Sequence, residues 1–389
     1  MTIRDKKVTV YIVALEPSGD FLGAKLISAL KALEGENLEL RGVGGSEMKR
    51  QGFKSLFDPE PIALLGIFEV LPKLLTIKNK LSEVIKDINL CAPDVLVTID
   101  SWGFTGRIHR YLSACDSPIK RVRYVAPQVW AWRPGRAKQL ANWIDCLLTL
   151  FEFEVSIFEQ QGLKTVWVGH PLMDNLDKVD RGLTFRQRHL IPEAAKLLAV
   201  LPGSRSSELK KLLPIFGSTI KKLRKSQNDL YIVIATVDST QDTVTKWAEE
   251  FSEKTIIVSN SVERNLAFNS CNAAIAASGT VSLELALCKV PHCVTYKVNI
   301  FTALIFKLIR KIRFINLINI ISKKEVVPEF LQNRCNPTLL AKCAEDLLSN
   351  NESRRTQIIA FAKVLNSLKV KNKEPSQEAA KAILQTLRN

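Results

Sequence analysis

Residues 201–211 read LPGSRSSELKK, and they follow an apolar run, KLLAV, at 196–200. A strand-like segment therefore ends in Pro-Gly-Ser, and an arginine and two serines precede a helical pattern. Backbone N–H groups at a helix start favour anions by orientation and dipole. Arg205 adds a permanent charge whose planar fork suits phosphate oxygens. A second turn of this kind, AASGTVSLELAL, brings Ser278, Gly279 and Thr280 to a helix start with Glu284 one turn further on. Small hydroxyl residues there bind phosphate, and an acid one turn on can accept both hydroxyls of a ribose. For either turn alone, plain turn glycines are the simpler account. Both together, with Arg205 and Glu284, point to a nucleoside diphosphate held by its pyrophosphate and ribose.

Three further motifs carry polar chemistry. ALEPSGDFLGAKL sets Glu16, Pro17, Ser18, Gly19 and Asp20 between the opening strand pattern and a helix. It is not GxGxxG, and no acidic ribose-binding residue follows at the right distance, which disfavours a nicotinamide cofactor. Standing alone it reads as a tight βα turn capped by Ser18 or Asp20. PDVLVTIDSWGFTGR puts Asp100 directly after a buried strand pattern. A carboxylate there can take a proton from a substrate hydroxyl, or it can cap the next helix. In YVAPQVWAWRPGR, Trp130 and Trp132 flank an alanine with Arg133 and Arg136 close behind. Such a loop stacks on sugar or acyl surface, or packs as an aromatic turn.

These residues need a scaffold, and the chain supplies strand and helix signals in alternation. VTVYIVAL, DVLVTID, RVRYVAP, CLLTLF and TVWVGH read as strands in the first half; KLLAVLPGS, LYIVIAT, TIIVSN, AAIAAS and HCVTYK do so in the second. Helical patterns such as FLGAKLISALKAL and SLELALCK intervene. Apolar strands alternating with amphipathic helices imply α/β architecture, with parallel sheets covered on both faces. The pattern divides at the polar connector GHPLMDNLDKVDRGLTFRQRHLIPEAAK. The expectation is two doubly wound domains, 1–172 and 173–352, facing one another across a cleft. A helical segment, 353–389, would then pack back on the first domain.

At 389 residues, two domains of ordinary size are expected. A hydrophobic content of 46% with 24% charged residues is that of a globular chain able to bury large cores. The formal charge of +16 implies a partner rich in negative charge: nucleic acid, anionic lipid or phosphorylated substrates. Eight cysteines form no CxxC pair and no Cys/His cluster at metal-ligand spacing. With the charged start MTIRDKK, this reads as a reduced, cytoplasmic chain without zinc or disulfides. No apolar run reaches the roughly 20 residues needed to span a bilayer. Two segments approach that character. PIALLGIFEVLPKLL (61–75) is mostly apolar, and FTALIFKLIRKIRFINLINIISKK (301–324) carries Lys307, Arg310, Lys311 and Arg313 without an acid. Each can be an ordinary core helix; the second is better explained as a surface helix lying on an anionic membrane.

The ordered set EPSGDFLGAKL, GVGGSEMKRQGF, APQVWAWRPGR, FEFEVSIFEQQGL with WVGHPL, LPGSRSSELKKLLP, SGTVSLELAL and VVPEFLQ resembles the lipid-A-disaccharide synthases along nearly the whole chain. The resemblance implies a GT-B fold, two Rossmann-like domains around a cleft, and an inverting glycosyl transfer. Its substrates would be UDP-2,3-diacylglucosamine and 2,3-diacylglucosamine 1-phosphate, its products a β-1,6-linked disaccharide phosphate and UDP, with no metal or other cofactor. Asp100 then matches the cleft aspartate, the base for the acceptor 6-hydroxyl, with Glu16 as a second catalytic residue. Ser18 and Gly19 would face the cleft. Arg205 matches the nucleotide-binding arginine; Ser278, Gly279, Thr280 and Glu284 would hold phosphate and ribose. Asn319 aligns with the asparagine of an LPN element, with Ile318 in place of the proline. The chain departs from the family after Asp100, reading Ser101, Trp102, Gly103, Phe104 where Pro-Asp-Phe is usual, so no second acid is present there.

With acylated, phosphorylated substrates, an anionic membrane surface is an expected partner, at the cytoplasmic face of the inner membrane. Residues around 62–75 would receive acyl chains and Lys307 to Arg313 would approach headgroups. A homodimer is a further expectation. Another GT-B glycosyltransferase or a UDP-sugar epimerase is the competing reading. A nucleic-acid binder is suggested by charge alone, without an RNP, KH or helix-turn-helix signature.

Overall fold

The computed structural model describes residues 7–59, 74–130, 134–174, 184–298, 313–349, 352–370 and 373–388. Residues 62–73, Trp132, Arg133, Lys307, Arg310 and Lys311, expected to face a membrane or to stack, lie outside these. The chain forms two compact units, one of Met1–Asp177 with Leu368–Asn389, the other of Lys178–Ser367.

The first unit holds β1 (Val8–Ala14), β2 (Leu38–Val43), β3 (Val95–Ile99), β4 (Lys120–Tyr124), β5 (Cys146–Thr149) and β6 (Thr165–Trp167). They form one parallel sheet in the order β2-β1-β3-β4-β5-β6. The second holds β7 (Lys196–Leu201), β8 (Leu230–Ala235), β9 (Thr255–Val258), β10 (Ala273–Ala277), β11 (His292–Tyr296) and β12 (Glu329–Leu331). Its sheet is also parallel, in the order β12-β11-β10-β7-β8-β9. Read from its own first strand, that is the doubly wound 3-2-1-4-5-6 order of dinucleotide-binding folds.

Parallel strands need crossover helices, and helices on both faces explain why VLVTI and AAIAA are buried at every position. The crossover Pro17–Glu34 begins with proline, whose missing N–H costs nothing at a helix start. It buries Leu22, Leu26, Ile27 and Leu30, one stripe at helical spacing. Helix Ser206–Ser226 does the same with Leu209, Leu212, Leu213, Phe216, Ile220 and Leu223. Two strands, β2 and β12, were not anticipated, and both are sheet edges. β2 (LELRGV) exposes Arg41, and β12 has three residues, so neither shows the apolar run of a central strand.

Helix Glu352–Leu368 belongs to the second unit and helix Pro375–Arg388 to the first. The latter packs on helix Pro17–Glu34, β4 and β5, burying Ala379, Ala380, Ile383 and Leu384. The Asp174 carboxylate accepts the Ser376 N–H at 3.3 Å and caps its start. Gly169 makes room for the approach: its φ is +79°, and a Cβ there would lie 2.8 Å from Val370 Cγ2 and 3.1 Å from Pro375 Cγ. Among the described residues no helix is long and apolar enough to cross a membrane.

Gly169→Ala therefore meets both a left-handed backbone and a filled space. It is expected to lower stability by more than about 1 kcal/mol, read as a lower urea midpoint.

Candidate active site

In open parallel sheets, ligands bind at strand carboxyl ends where the winding reverses. In the first sheet this is between β1 and β3, whose ends are in register at Ala14 and Ile99. Glu16 follows one strand and Asp100 the other. The Ser101 hydroxyl approaches Glu16 Oε1 at 3.4 Å, joining the two turns. Asp100 and Ser101 both have left-handed backbones, φ 52° and 47°, which turn the chain sharply into helix Trp102–Ala114. Aspartate tolerates this region better than most residues; serine pays more. The turn is held from three sides. Asp100 N–H donates to Tyr124 O (3.1 Å), the Thr105 hydroxyl lies 2.7 Å from Asp100 O, and the Phe104 and Thr105 amides donate to Ser101 O. The Asp100 side chain itself remains 43% exposed.

Of the other first-turn residues, Ser18 is half-buried and Gly19 is buried against Ile99 and Ala14, so Gly19 packs rather than lines a surface. Asp20 does not cap its own helix. Its carboxylate accepts the N–H groups of Gly45, Glu47 and Met48 at 2.8, 2.8 and 3.1 Å and caps the helix Ser46–Arg50 instead.

Trp102 stacks on Trp143 at 5.9 Å, and Arg123 and Arg136 stand over its ring at 5.4 and 4.9 Å. Trp130 donates its indole N–H to Glu154 Oε1 (3.1 Å) and packs edge-on against Phe153. Glu154 is buried, and burial pushes its carboxyl up to about 8, against the hydrogen bonds from Trp130 and Phe151.

In the second sheet the reversal falls between β7 and β10, paired through Leu201 and Ala276. The turn after β7 carries Gly203 at φ +102°, a position closed to side chains twice over, because a Cβ would also meet Glu208 Oε2. Glu208 folds back along its own turn. Its carboxyl is raised by burial and held down by the Arg205 charge, 3.7 Å away, and by the N–H groups of Arg205 and Ser204. Ser278, whose N–H donates to Thr295 O, stands at the adjacent strand end with the exposed Gly279 and Thr280. Glu284 is half-buried and paired with Arg264 at 3.2 Å, which fixes one carboxylate oxygen. Tyr296, at the end of β11, has its hydroxyl pKa raised by burial and by Glu208.

Asn319 stands elsewhere. It is fully buried in helix Leu317–Ser322 and spends its whole capacity on the protein. Its oxygen accepts Val326 N–H (2.7 Å) and Val327 N–H (2.8 Å); its amide donates to Val327 O (2.7 Å) and Glu329 Oε1 (2.9 Å). The substrate contact expected of it is therefore replaced by a structural one, shaping the VVPEF segment. A linked chain runs from Asn316 Nδ2 to Ser282 Oγ (2.7 Å) and on to His292 Nε2 (2.5 Å), whose Nδ1 meets Val290 O. Burial lowers His292 to about 4, so the ring is neutral and Ser282 donates to it. This chain anchors the helix that follows the Ser278 turn.

The sequence profile described as lipid-A-disaccharide synthetase matches residues 10–383, which include both clusters. The chain belongs to the lipid-A-disaccharide synthetase family. The lipid-A-disaccharide synthase of Paramagnetospirillum magneticum is 42% identical over 381 residues, 97% of each chain. The fold is shared more widely. An S. aureus MnaA–UDP co-structure aligns at a TM-score of 0.68 with 12% identity, covering 98% of both chains. The UDP-GlcNAc 2-epimerase of Neisseria meningitidis, bound to UDP-GlcNAc, aligns at 0.65 with 12% identity, over 98% of this chain and 100% of that one. These neighbours establish GT-B architecture. Sequence kinship separates this synthetase family member from the epimerases.

Several residues around these strand ends escaped sequence reasoning. Glu208 had a signal, standing three residues after Arg205 where a capping acid reaches back to the helix start. Arg123 had a weaker one, an arginine between Val122 and Tyr124 in the strand run RVRYV. Arg264 and Glu154 lie in unremarkable helical and turn sequence, and only tertiary packing reveals them.

Glu154 gives a pH signature. A carboxyl raised from 4.5 to about 8 on folding is fully compatible with the folded state below 4.5, and stability is lost as pH rises towards 8. Glu154→Gln keeps an acceptor for Trp130 and is expected to remove that loss, gaining on the parent by up to roughly 1.4 kcal/mol per pH unit across the window. Urea denaturation at successive pH values measures the difference.

Proposed function

We propose that the chain is an inverting glycosyltransferase that forms the lipid A disaccharide, transferring 2,3-diacylglucosamine from its UDP derivative to the 6-hydroxyl of 2,3-diacylglucosamine 1-phosphate. The observation that carries this reading is the family match along residues 10–383, within which both strand-end clusters fall.

The donor belongs with the second unit. Arg205 and the N–H groups of its turn face the UDP pyrophosphate, with the Ser278 and Thr280 hydroxyls and Gly279 beside them. Diphosphate leaves as a growing negative charge, and fixed donors that need no reorganisation stabilise it best. For the incoming phosphate to take the Ser204 and Arg205 N–H groups, Glu208 has to give them up. Glu284, steadied by Arg264, offers its remaining oxygen to the ribose hydroxyls.

The acceptor belongs with the first unit. Asp100 takes the proton of the 6-hydroxyl as its oxygen attacks the anomeric carbon opposite the departing UDP. Glu16, tied to the same turn through Ser101, orients that hydroxyl. Because Gly103 stands where the family usually has an acid, proton removal falls to Asp100 alone.

The protein's +16 charge suits substrates that are phosphorylated and embedded in an anionic membrane surface. If charge brings the enzyme to that surface, co-sedimentation with anionic vesicles should fall steeply as salt rises and be weak with neutral ones. Binding indifferent to salt would remove the electrostatic part of the proposal.

The decisive assay follows products. Both substrates in detergent, without added divalent metal, should yield UDP and a disaccharide phosphate. Asp100→Asn should cut the rate by about 10²–10⁴-fold while leaving UDP affinity unchanged. UDP release without disaccharide would instead indicate another acceptor.

A further inference from the structure

Arg123 is fully buried, an expensive place for a guanidinium unless its charge and N–H groups find partners. Two of its nitrogens do. Nε donates to Val125 O at 3.1 Å and Nη1 to the Thr105 hydroxyl at 2.8 Å. Nη2 has no hydrogen-bond partner among the described residues, and it lies 4.0 Å from Asp100 Oδ1. The guanidinium also lies over the Trp102 ring, 5.4 Å from its centroid. Burial lowers the Arg123 pKa to about 10, the Asp100 carboxylate offsetting part of that fall and Arg136 adding to it.

The backbone around it is strained in a consistent pattern. Val125, whose carbonyl holds Nε, has φ 78°, a region that a β-branched residue almost never enters. Asp100 and Ser101 are left-handed on the other side of the same guanidinium. Strain of this kind, of order 1–3 kcal/mol per residue, persists only where surrounding structure over-determines it, and it clusters at functional sites.

We infer that Arg123 is a positioning residue for Asp100: its unpartnered Nη2–H secures carboxylate oxygen Oδ1, so that Oδ2 faces the acceptor hydroxyl. The inference rests on the assignment of Asp100 as the base. The Asp100 side chain, 43% exposed, has room to move toward Nη2 and shorten the 4.0 Å separation to a charge-assisted hydrogen bond of about 2.8 Å. As the transfer proceeds, the acceptor O–H bond breaks and Oδ2–H forms. The freed oxygen pair makes the bond to the anomeric carbon, and the pair of the breaking glycosyl bond leaves on the UDP diphosphate. Arg123 neither gains nor loses a proton. It fixes which oxygen receives one.

Removing one member of a buried polar cluster leaves its partners uncompensated, so Arg123→Met, which loses the donors to Val125 O and Thr105, is expected to lower the melting temperature. Its kinetics are read at a temperature where circular dichroism shows it folded. In the folded variant, Arg123→Met is expected to leave UDP affinity and the donor KM unchanged, while kcat falls on the order of 10²-fold, the scale of a small misplacement of a reacting group. Arg123→Lys should recover part of kcat. In an Asp100→Asn background, Arg123→Met should cost nothing further. Wild-type kcat in Arg123→Met, or losses from the two substitutions that multiply, would overturn the inference while leaving Asp100 as base. Wild-type turnover in Asp100→Asn would overturn that assignment and this inference together.

Discussion

Parallel strands cannot be joined by a hairpin, so every connection in this chain must cross a sheet face before returning. Where successive crossovers switch from one direction along the sheet to the other, the loops leaving two neighbouring strands diverge and open a space at their carboxyl ends. The switch lies beside β1 and β3 in the first sheet and beside β7 and β10 in the second. Glu16 and Asp100 stand at the one, Arg205 and Ser278 at the other. Side chains far apart in sequence become neighbours because of strand order, before any of their own chemistry is considered.

Two arginines show how the same charge is put to different uses. Arg205 is 41% exposed, and its pairing with Glu208 across 3.7 Å is of the weak, screened kind, about 0–1 kcal/mol. Arg123 is wholly buried, so its contacts act at low dielectric and hold their geometry closely. An exposed arginine suits a ligand that arrives and leaves, a buried one a carboxylate that must stay in place.

Much of the fold was legible because parallel strands covered on both faces must be apolar throughout, and runs such as VTVYIVAL and AAIAAS say so directly. The edge strands β2 and β12 were not, since one face or one neighbour is missing and polar residues intrude. The placements of Asp100, directly after β3, and of Arg205, at the start of helix Ser206–Ser226, could be read from the strand-then-helix pattern around each. Asn319 was misread because sequence shows that an asparagine is present, not whether backbone or ligand receives its bonds. Asp20 was misassigned for a related reason: its three N–H donors lie 25 to 28 residues away, beyond any local capping pattern. Arg123 becomes meaningful only when Thr105, Val125 and Trp102 are seen to enclose it.

The placement of helix Pro375–Arg388 bears on how the protein is made. It covers β4, β5 and helix Pro17–Glu34, yet the ribosome delivers it only after the second unit, Lys178–Ser367. The first unit thus waits through nearly two hundred residues of synthesis with apolar surface on that face uncovered. Nascent chains of this kind are exposed to aggregation and to chaperones for as long as translation takes, so the arrival of Pro375–Arg388 sets when the first unit gains its full resistance to proteolysis.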